Sequence, residues 1–509
     1  MTPPRTGATF SIVCVALALG VSALCVDAAS AQSFAFWPSE SPPRPLQPRP
    51  LKIPPYEVRT LANGMQVVAV SHHEQPAVTM RLLVRAGAAQ DPQGKGGVAS
   101  LAASLLDQGT TTRSAQQIAD QIDSIGGAMS TGSGMDLTSV DAVVMKDSFD
   151  VALGLVADVI RNPAFSAGEI DRQKEQALSS LRLNAGDPDY LASALVNRLV
   201  YGFHPYGIPG SGTADTLARI TAEDLRVYHR RYFLPNNMVL AIVGDVSVEE
   251  SFAAAERVFG AWPRGEVPAW TPTASPPATR RIVVVDKPDA VQTEIRVGQL
   301  AIERKHPDYT TWDLTVKILG GEGANRLHRV LRSERGLTYG AEADTVARKH
   351  AGHYVAETDT RTDTTGEALR LMVDEFSRLQ RQRVSERELA DAQAYLAGSF
   401  PLTVETPNDI AGLVINAVFF ELPVEDVATY RERIQAITPD DLQRVARLYI
   451  KPDRLSIVLV GDATSFLPQL RSAGFTDVEV IPIADLDLTS GTLRREARRV
   501  ATGANERAN

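Results

Sequence analysis

Residues 220–245, ITAEDLRVYHRRYFLPNNMVLAIVGD, return 217 residues later as residues 437–462, ITPDDLQRVARLYIKPDRLSIVLVGD, without a gap. Ten of the 26 aligned positions are identical, including Ile220, Thr221, Asp224, Leu225 and the closing Val243-Gly244-Asp245, and a similarity of that strength at a fixed offset marks a duplicated unit. Both copies read alike. A Thr N-cap with an acidic first turn opens an amphipathic helix, a proline follows it, and an apolar strand runs to Gly-Asp. The chain is therefore expected to be an α+β protein of two homologous mixed α/β domains, each of roughly 200 residues.

Working outward from the repeat, the same periodicity predicts helices over 115–125, 147–161, 167–184, 190–201, 309–319, 364–381, 386–398 and 406–420. Asn63-Gly64 within residues 56–70 predicts a hairpin, because both residue types accept positive φ. A proline-rich stretch, PAWTPTASPPATR at 268–280, nearly bisects the chain and reads as a linker. These signals predict an N-terminal domain over 56–265, a linker over 266–280, a C-terminal domain over 281–484 and a flexible, arginine-rich tail over 485–509.

Composition narrows the classes of function. With 44% hydrophobic and 22% charged residues the chain is ordinary for a globular protein, and its net charge of −9 argues against nucleic acid as a partner. Residues 1–31 read as a signal peptide: Arg5, an apolar run from Phe10 to Val26, then Ala29-Ser30-Ala31 as a cleavage site, followed by a proline-rich lead-in over 32–55. The apolar run is short for a membrane span, so export to the periplasm, or secretion, is expected with no stable anchor after cleavage. Cys14 and Cys25 both lie in this leader, leaving no thiol for disulfides, metal or nucleophilic catalysis.

Chemistry is concentrated around GGVASLAASLLDQGTTTR at 96–113. Val98, Leu101, Ala102, Leu105 and Leu106 make one apolar helical face, while Ser100, Ala103 and Ser104 fall on another, with Asp107 one turn beyond. Two metal-binding histidines at i and i+4, with a glutamate base between them, use that geometry, but here the residue types are wrong. At this point the chain resembles the pitrilysin/insulinase family of zinc peptidases, the inverzincins, whose motif is HxxEH followed by Gly-Thr. Gly97, Ala99, Gly109 and Thr110 match the motif's surroundings, as do LANGMQVV at 61–68, HPYGIPGSG at 204–212 and LGGEGANRLHRVLRSERGLTYG at 319–340.

The resemblance implies the fold shared by pitrilysin and the mitochondrial processing peptidase, each chain forming one half of a clamshell. It places the two histidines on Ser100 and Ser104, the glutamate on Ala103, and the third ligand on Ser180, ahead of Asp187-Pro188. All four are substituted. Neutral hydroxyls are poor zinc ligands and no base remains at position 103, so no zinc or other cofactor is expected on this chain. A serine nucleophile is disfavoured as well, since neither serine sits in a GxSxG elbow or beside a base in sequence. His72, His73, His204, His350 and His353 read as surface or structural, and GGEGANR lacks the spacing of a phosphate loop.

The second half keeps what the first has lost. The resemblance implies that Arg332 and Tyr339, seven residues apart around a Gly336 helix cap and ahead of a strand from about Leu337, reach a substrate carbonyl beside the zinc of active members. From spacing alone Arg332 would instead pair with a helix carboxylate such as Glu334 or cap the helix end, and Tyr339 would pack at a strand start. The expected function is a noncatalytic, substrate-binding subunit that completes the active site of a homologous HxxEH-bearing partner, where the zinc resides, for hydrolysis of extended peptides. A purely structural, scaffolding member of the family is the alternative, and an independent hydrolase with an unfamiliar site a third.

Overall fold

The computed structural model describes residues 54–321, 325–423 and 425–495, so the expected signal peptide and nearly all of the lead-in lie outside the described residues. In the first half run β1 (Tyr56–Thr60), β2 (Gln66–Ser71), β3 (Ala77–Val84), α1 (Val98–Ser104), α2 (Ala115–Ser124), β4 (Ala128–Ser133), β5 (Thr138–Met145) and α3 (Phe149–Arg161). They are followed by α4 (Ala167–Asn184), α5 (Pro188–Tyr201), α6 (Ala214–Arg219), α7 (Ala222–Tyr232), β6 (Met238–Gly244) and α8 (Val248–Phe259). The second half opens with β7 (Arg281–Asp286), β8 (Gln292–Ala301), α9 (Tyr309–Gly320), β9 (Ala341–Val346), β10 (Gly352–Arg361), α10 (Thr365–Arg381) and α11 (Glu386–Ser399). It closes with α12 (Pro407–Phe419), α13 (Glu425–Ala428), α14 (Tyr430–Ala436), α15 (Pro439–Tyr449), β11 (Ser456–Gly461), α16 (Ala463–Ser472) and β12 (Glu479–Pro482).

Each half builds a six-stranded mixed sheet, in the orders β1-β2-β6-β3-β5-β4 and β12-β7-β11-β8-β10-β9. The quoted repeat supplies equivalent parts of both. Thr221 and Thr438 each close a reciprocal capping box with the aspartate three residues on, Asp224 and Asp441, and the strands that follow, β6 and β11, take matching central positions. There each runs parallel to one neighbour, β2 or β7, and antiparallel to the other, β3 or β8. The sheets differ at one edge, where β1 joins antiparallel and β12 parallel.

The covers of the two sheets are exchanged. One face of each sheet packs on helices of its own half. Over the other face of the first sheet lies α12, from the second half, burying Ile410, Val414, Ile415 and Phe419 against Val68, Leu83, Val239 and Val243. Over the corresponding face of the second sheet lies α5, from the first half, with Leu191, Leu195, Val196 and Val200 against Val283, Val285, Val458 and Val460. At about 1.5–3 kcal/mol per large side chain, each cover contributes on the order of 10 kcal/mol of burial.

Three local expectations need correction. At the hairpin only Gly64 takes positive φ (91°), where a Cβ would meet that of Asn236 at 2.7 Å; Asn63 instead donates its amide to the Phe259 and Trp262 carbonyls at 2.8 and 3.0 Å. The first-half helix stops at Ser104, and Leu105–Asp107 continue as turns because Leu105 and Leu106 donate to carbonyls three residues back. The tail is packed as far as it is described, since Leu486 and Leu493 are buried in the second sheet's core and Arg198 donates to the Leu488 and Ser490 carbonyls. Residues 496–509 lie outside the described residues.

Candidate functional site

The short α1 owes its position to Asp91, which sequence reasoning passed over. Its two carboxylate oxygens accept from the backbone N–H groups of Gly97 and Ala99 at 2.6 and 2.7 Å, filling the orphan donors at the helix start. Burial pushes its pKa up to about 7, against the lowering effect of those backbone bonds. Folding therefore takes up a proton between roughly pH 4 and 7, and the contribution of this group to stability falls as pH rises through that window. Asp91→Asn, which keeps one acceptor and loses the other, is expected to be less stable than the wild type by about 1 kcal/mol at pH 5. That deficit should shrink or reverse by pH 8, as urea denaturation at the two pH values would show.

On α1 the stripe is inert. Ser100 is half-buried, Ala103 is buried, and Ser104 Oγ turns back on its own helix to donate to the Leu101 carbonyl at 3.0 Å. The Ala103 carbonyl accepts from Thr131 Oγ1 on β4 at 2.8 Å, which sets α1 against that edge strand. Asp107 accepts from Gln108 at 2.6 Å. The long helix α4 packs across α1 and carries Ser180 on its exposed side, seven residues before Asp187, whose side chain caps α5. Two half-buried hydroxyls, a methyl and an exposed hydroxyl do not make a donor set for zinc. Among the described residues no group of three or more His, Cys, Asp or Glu side chains is placed to hold a metal ion.

The loop carrying Arg332 and Tyr339 is built differently from a plain helix end. Residues His328–Glu334 form a π-helical turn, a wide winding that is rare and found often at functional sites. Gly336 at φ 62° ends it, and the chain then runs as a tied loop rather than as strand, β9 beginning only at Ala341. Thr338 Oγ1 and Thr358 Oγ1 both donate to the Gly340 carbonyl at 2.7 Å, and Thr360 Oγ1 to that of Leu337 at 2.8 Å. Leu337 and Thr338 are buried by these ties, while Tyr339 between them and Gly340 is 81% exposed. Arg332 stacks its guanidinium 4.9 Å from the Tyr339 ring centroid and donates to the Thr338 carbonyl at 3.3 Å. Glu334 is engaged by Arg329 at 3.6 Å, and no described carboxylate pairs with Arg332.

Beside this loop lies an acidic cleft of about 300 Å³ that the sequence reading missed, lined by Asp189, Glu294, Glu342, Glu357 and Asp359 around a single buried guanidinium, Arg296. Gly340 borders it. Arg296 pairs with Glu357 at 3.1 Å, Glu294 at 3.2 Å and Asp189, the last reaching over from the start of α5. Burial, and then the neighbouring acids Asp359 and Asp189, raise the Glu294 pKa while Arg296 pulls it down; Glu357 is raised likewise. The signal was present as alternation, Glu342 with Asp344 and Glu357 with Asp359, but only strand register brings Glu342 opposite Glu357.

His204, His350 and His353 are structural parts of the joint between the halves, and His73 lies at the surface of the first. His353 is buried and shares a 2.9 Å hydrogen bond with Tyr201 Oη, and His204 Nδ1 accepts from the Tyr206 amide. Trp270 from the linker stacks against His350 at 4.6 Å and donates to the Ala89 carbonyl. His73 bonds Asp245 at 2.5 Å.

Comparison with known proteins agrees with this architecture. Residues 66–213 match the family profile described as insulinase (peptidase family M16), and residues 219–396 match one described as the peptidase M16 inactive domain. The uncharacterized zinc protease YmxG of Bacillus subtilis is 24% identical over 352 residues, 69% of this chain and 84% of that protein. An uncharacterized zinc protease of Streptomyces coelicolor is 23% identical over 76% of this chain and 86% of that one. Among solved structures, a peptidase M16 inactive domain from Pseudomonas fluorescens superposes with a TM-score of 0.76 at 29% identity, over 80% of this chain and 98% of that chain. The periplasmic protease PqqL of Escherichia coli shares the fold at a TM-score of 0.68 and 15% identity, this chain spanning 51% of its length. With both profiles running consecutively over residues 66–396, well over half of the sequence, the chain belongs to the insulinase family of peptidases, M16.

Proposed function

We propose that this chain is the noncatalytic, substrate-binding subunit of an exported peptidase, completing the active site of a homologous partner that carries HxxEH and the zinc. One observation carries the reading: the zinc positions are occupied by Ser100, Ala103, Ser104 and Ser180, while Arg332 and Tyr339 stand exposed on a loop held by three threonine hydroxyls. A relic would have little reason to keep an uncompensated guanidinium and a solvent-facing phenol so firmly placed. In the assembled enzyme the two donate to the substrate carbonyl as charge builds on its oxygen, a role for which fixed donors are suited because they need no rearrangement during the reaction.

The open edge of the first sheet supports the peptide-binding part. Among the described residues β4 pairs only with β5 and its outer backbone groups have no partner beside α1, and an extended peptide added there would bind through main-chain hydrogen bonds with little demand on sequence. The test is reconstitution. The purified chain alone should leave extended peptides uncut, and adding an HxxEH-bearing M16 subunit that co-purifies with it should give chelator-sensitive turnover well above that of the partner alone. Cleavage by this chain alone, indifferent to EDTA, would overturn the reading, as would a partner fully active without it.

A further inference from the structure

A second cavity, of about 390 Å³, opens between α9, α12 and the α13–α14 segment and shares no lining residue with the acidic cleft. Part of its polar lining is satisfied within the protein: Arg433 pairs with Asp426 at 2.7 Å and donates to Thr310 Oγ1 at 2.7 Å. The rest is not. The Asp313 carboxylate and the hydroxyls of Tyr309 and Tyr430 make no hydrogen bond to a described residue, and Arg304, its guanidinium 4.2 Å over the Tyr309 ring, pairs with no described carboxylate.

These groups face one another closely enough to feel each other's charge. Burial, and then the Asp313 carboxylate, raise both phenols, Tyr430 to about 12; burial raises Asp313 itself, with Lys317 and Arg304 drawing it down. Arg304, Tyr309, Asp313 and Tyr430 are each half-buried, so a carboxylate, two phenols and a guanidinium line one recess that is open to a guest and carry no hydrogen bond from a described residue. The volume is that of a small-molecule site, and Phe400 and Phe420 supply apolar wall. The charge inventory selects the ligand. A lone cation would satisfy Asp313 and be repelled by Arg304, and a lone anion would do the reverse; a zwitterion matches both.

We propose that this cavity binds a free apolar α-amino acid, its ammonium held by Asp313 with the Tyr309 and Tyr430 oxygens, its carboxylate by Arg304, and its side chain against Phe400 and Phe420. The site stands independently of any role in peptide hydrolysis. Isothermal titration of the purified full chain with L-leucine, N-acetyl-L-leucine and L-leucinamide tests it. L-leucine should saturate one site below about 10 mM, and each blocked analogue should bind at least tenfold more weakly, about 1.4 kcal/mol. Asp313→Asn and Arg304→Gln should weaken leucine at least tenfold at an unchanged melting temperature, and Tyr430→Phe, which removes a single hydroxyl, severalfold. No heat with L-leucine overturns the proposal and leaves a solvated polar recess; leucinamide binding as well as leucine overturns the carboxylate contact and with it the zwitterion.

Discussion

Arg332→Ala is expected to lower kcat of the reconstituted pair roughly 100-fold with KM little changed, and Tyr339→Phe roughly tenfold, the pattern of losing donors that act chiefly in the transition state. The two effects differ because a guanidinium brings full charge and a fork of donors, whereas the phenol offers one neutral hydrogen bond. Neither replacement should disturb the fold. Tyr339 is 81% exposed, and among the described residues the Arg332 side chain makes only the 3.3 Å bond to Thr338 and the stacking contact, so melting curves and co-purification with the partner should match the wild type within about 0.5 kcal/mol. Turnover unaffected by either variant would assign the chain to scaffolding.

Arg296→Met should cost about 3 kcal/mol of folding stability, because it strips the one cation from a cleft of carboxylates while keeping the shape of its stem. The guanidinium is 95% buried, whereas Glu294 is mostly buried, Glu357 is nearly half exposed and Asp189 is mostly exposed, which places the loss at the lower end of what breaking a buried pair costs. The sign of the pH dependence follows from the acids. Glu294 and Glu357 already have raised pKa values in the folded protein, so folding favours their protonated forms and their ionisation weighs against stability as pH rises past the ordinary carboxylate range. Without Arg296 that weight grows, and the variant should fall furthest behind the wild type at pH 8 and least at pH 4–5. Urea denaturation at both pH values measures it; a pH-independent difference would mean the loss is one of packing alone.

Much of this architecture was legible because it is written locally. Residues Ala167–Asn184 form a helix with the bounds their periodicity gives, and the repeated Thr caps and Gly-Asp strand ends recur as matching parts of two sheets. Periodicity states that a face is buried and is silent about what buries it. Thus the apolar stripes of α5 and α12 were visible, but not that each covers the other half's sheet. The same limit hid the acidic cleft, whose charges meet through the pairing of β8, β9 and β10 and the placement of α5 over them. In the tail, Leu486 and Leu493 were outweighed by arginines in a reading of composition, although two well-placed leucines suffice to pin the segment. At the site, the residue types at 100, 103, 104, 332 and 339 were plain in the sequence; the π-helical turn and the threonine ties that present Tyr339 were not.

The crossed placement of α5 and α12 governs how the molecule can move. Swinging the halves apart would peel an apolar helix from each sheet at once, wetting the sixteen apolar side chains of the two covers together, so hinge opening inside this polypeptide is energetically closed. If the chain acts as the proposed subunit, admission of a long guest becomes a matter of how two rigid shells approach and part, and the lifetime of that encounter between separate molecules, rather than any breathing of this one, would set the pace at which a peptide enters and its fragments leave.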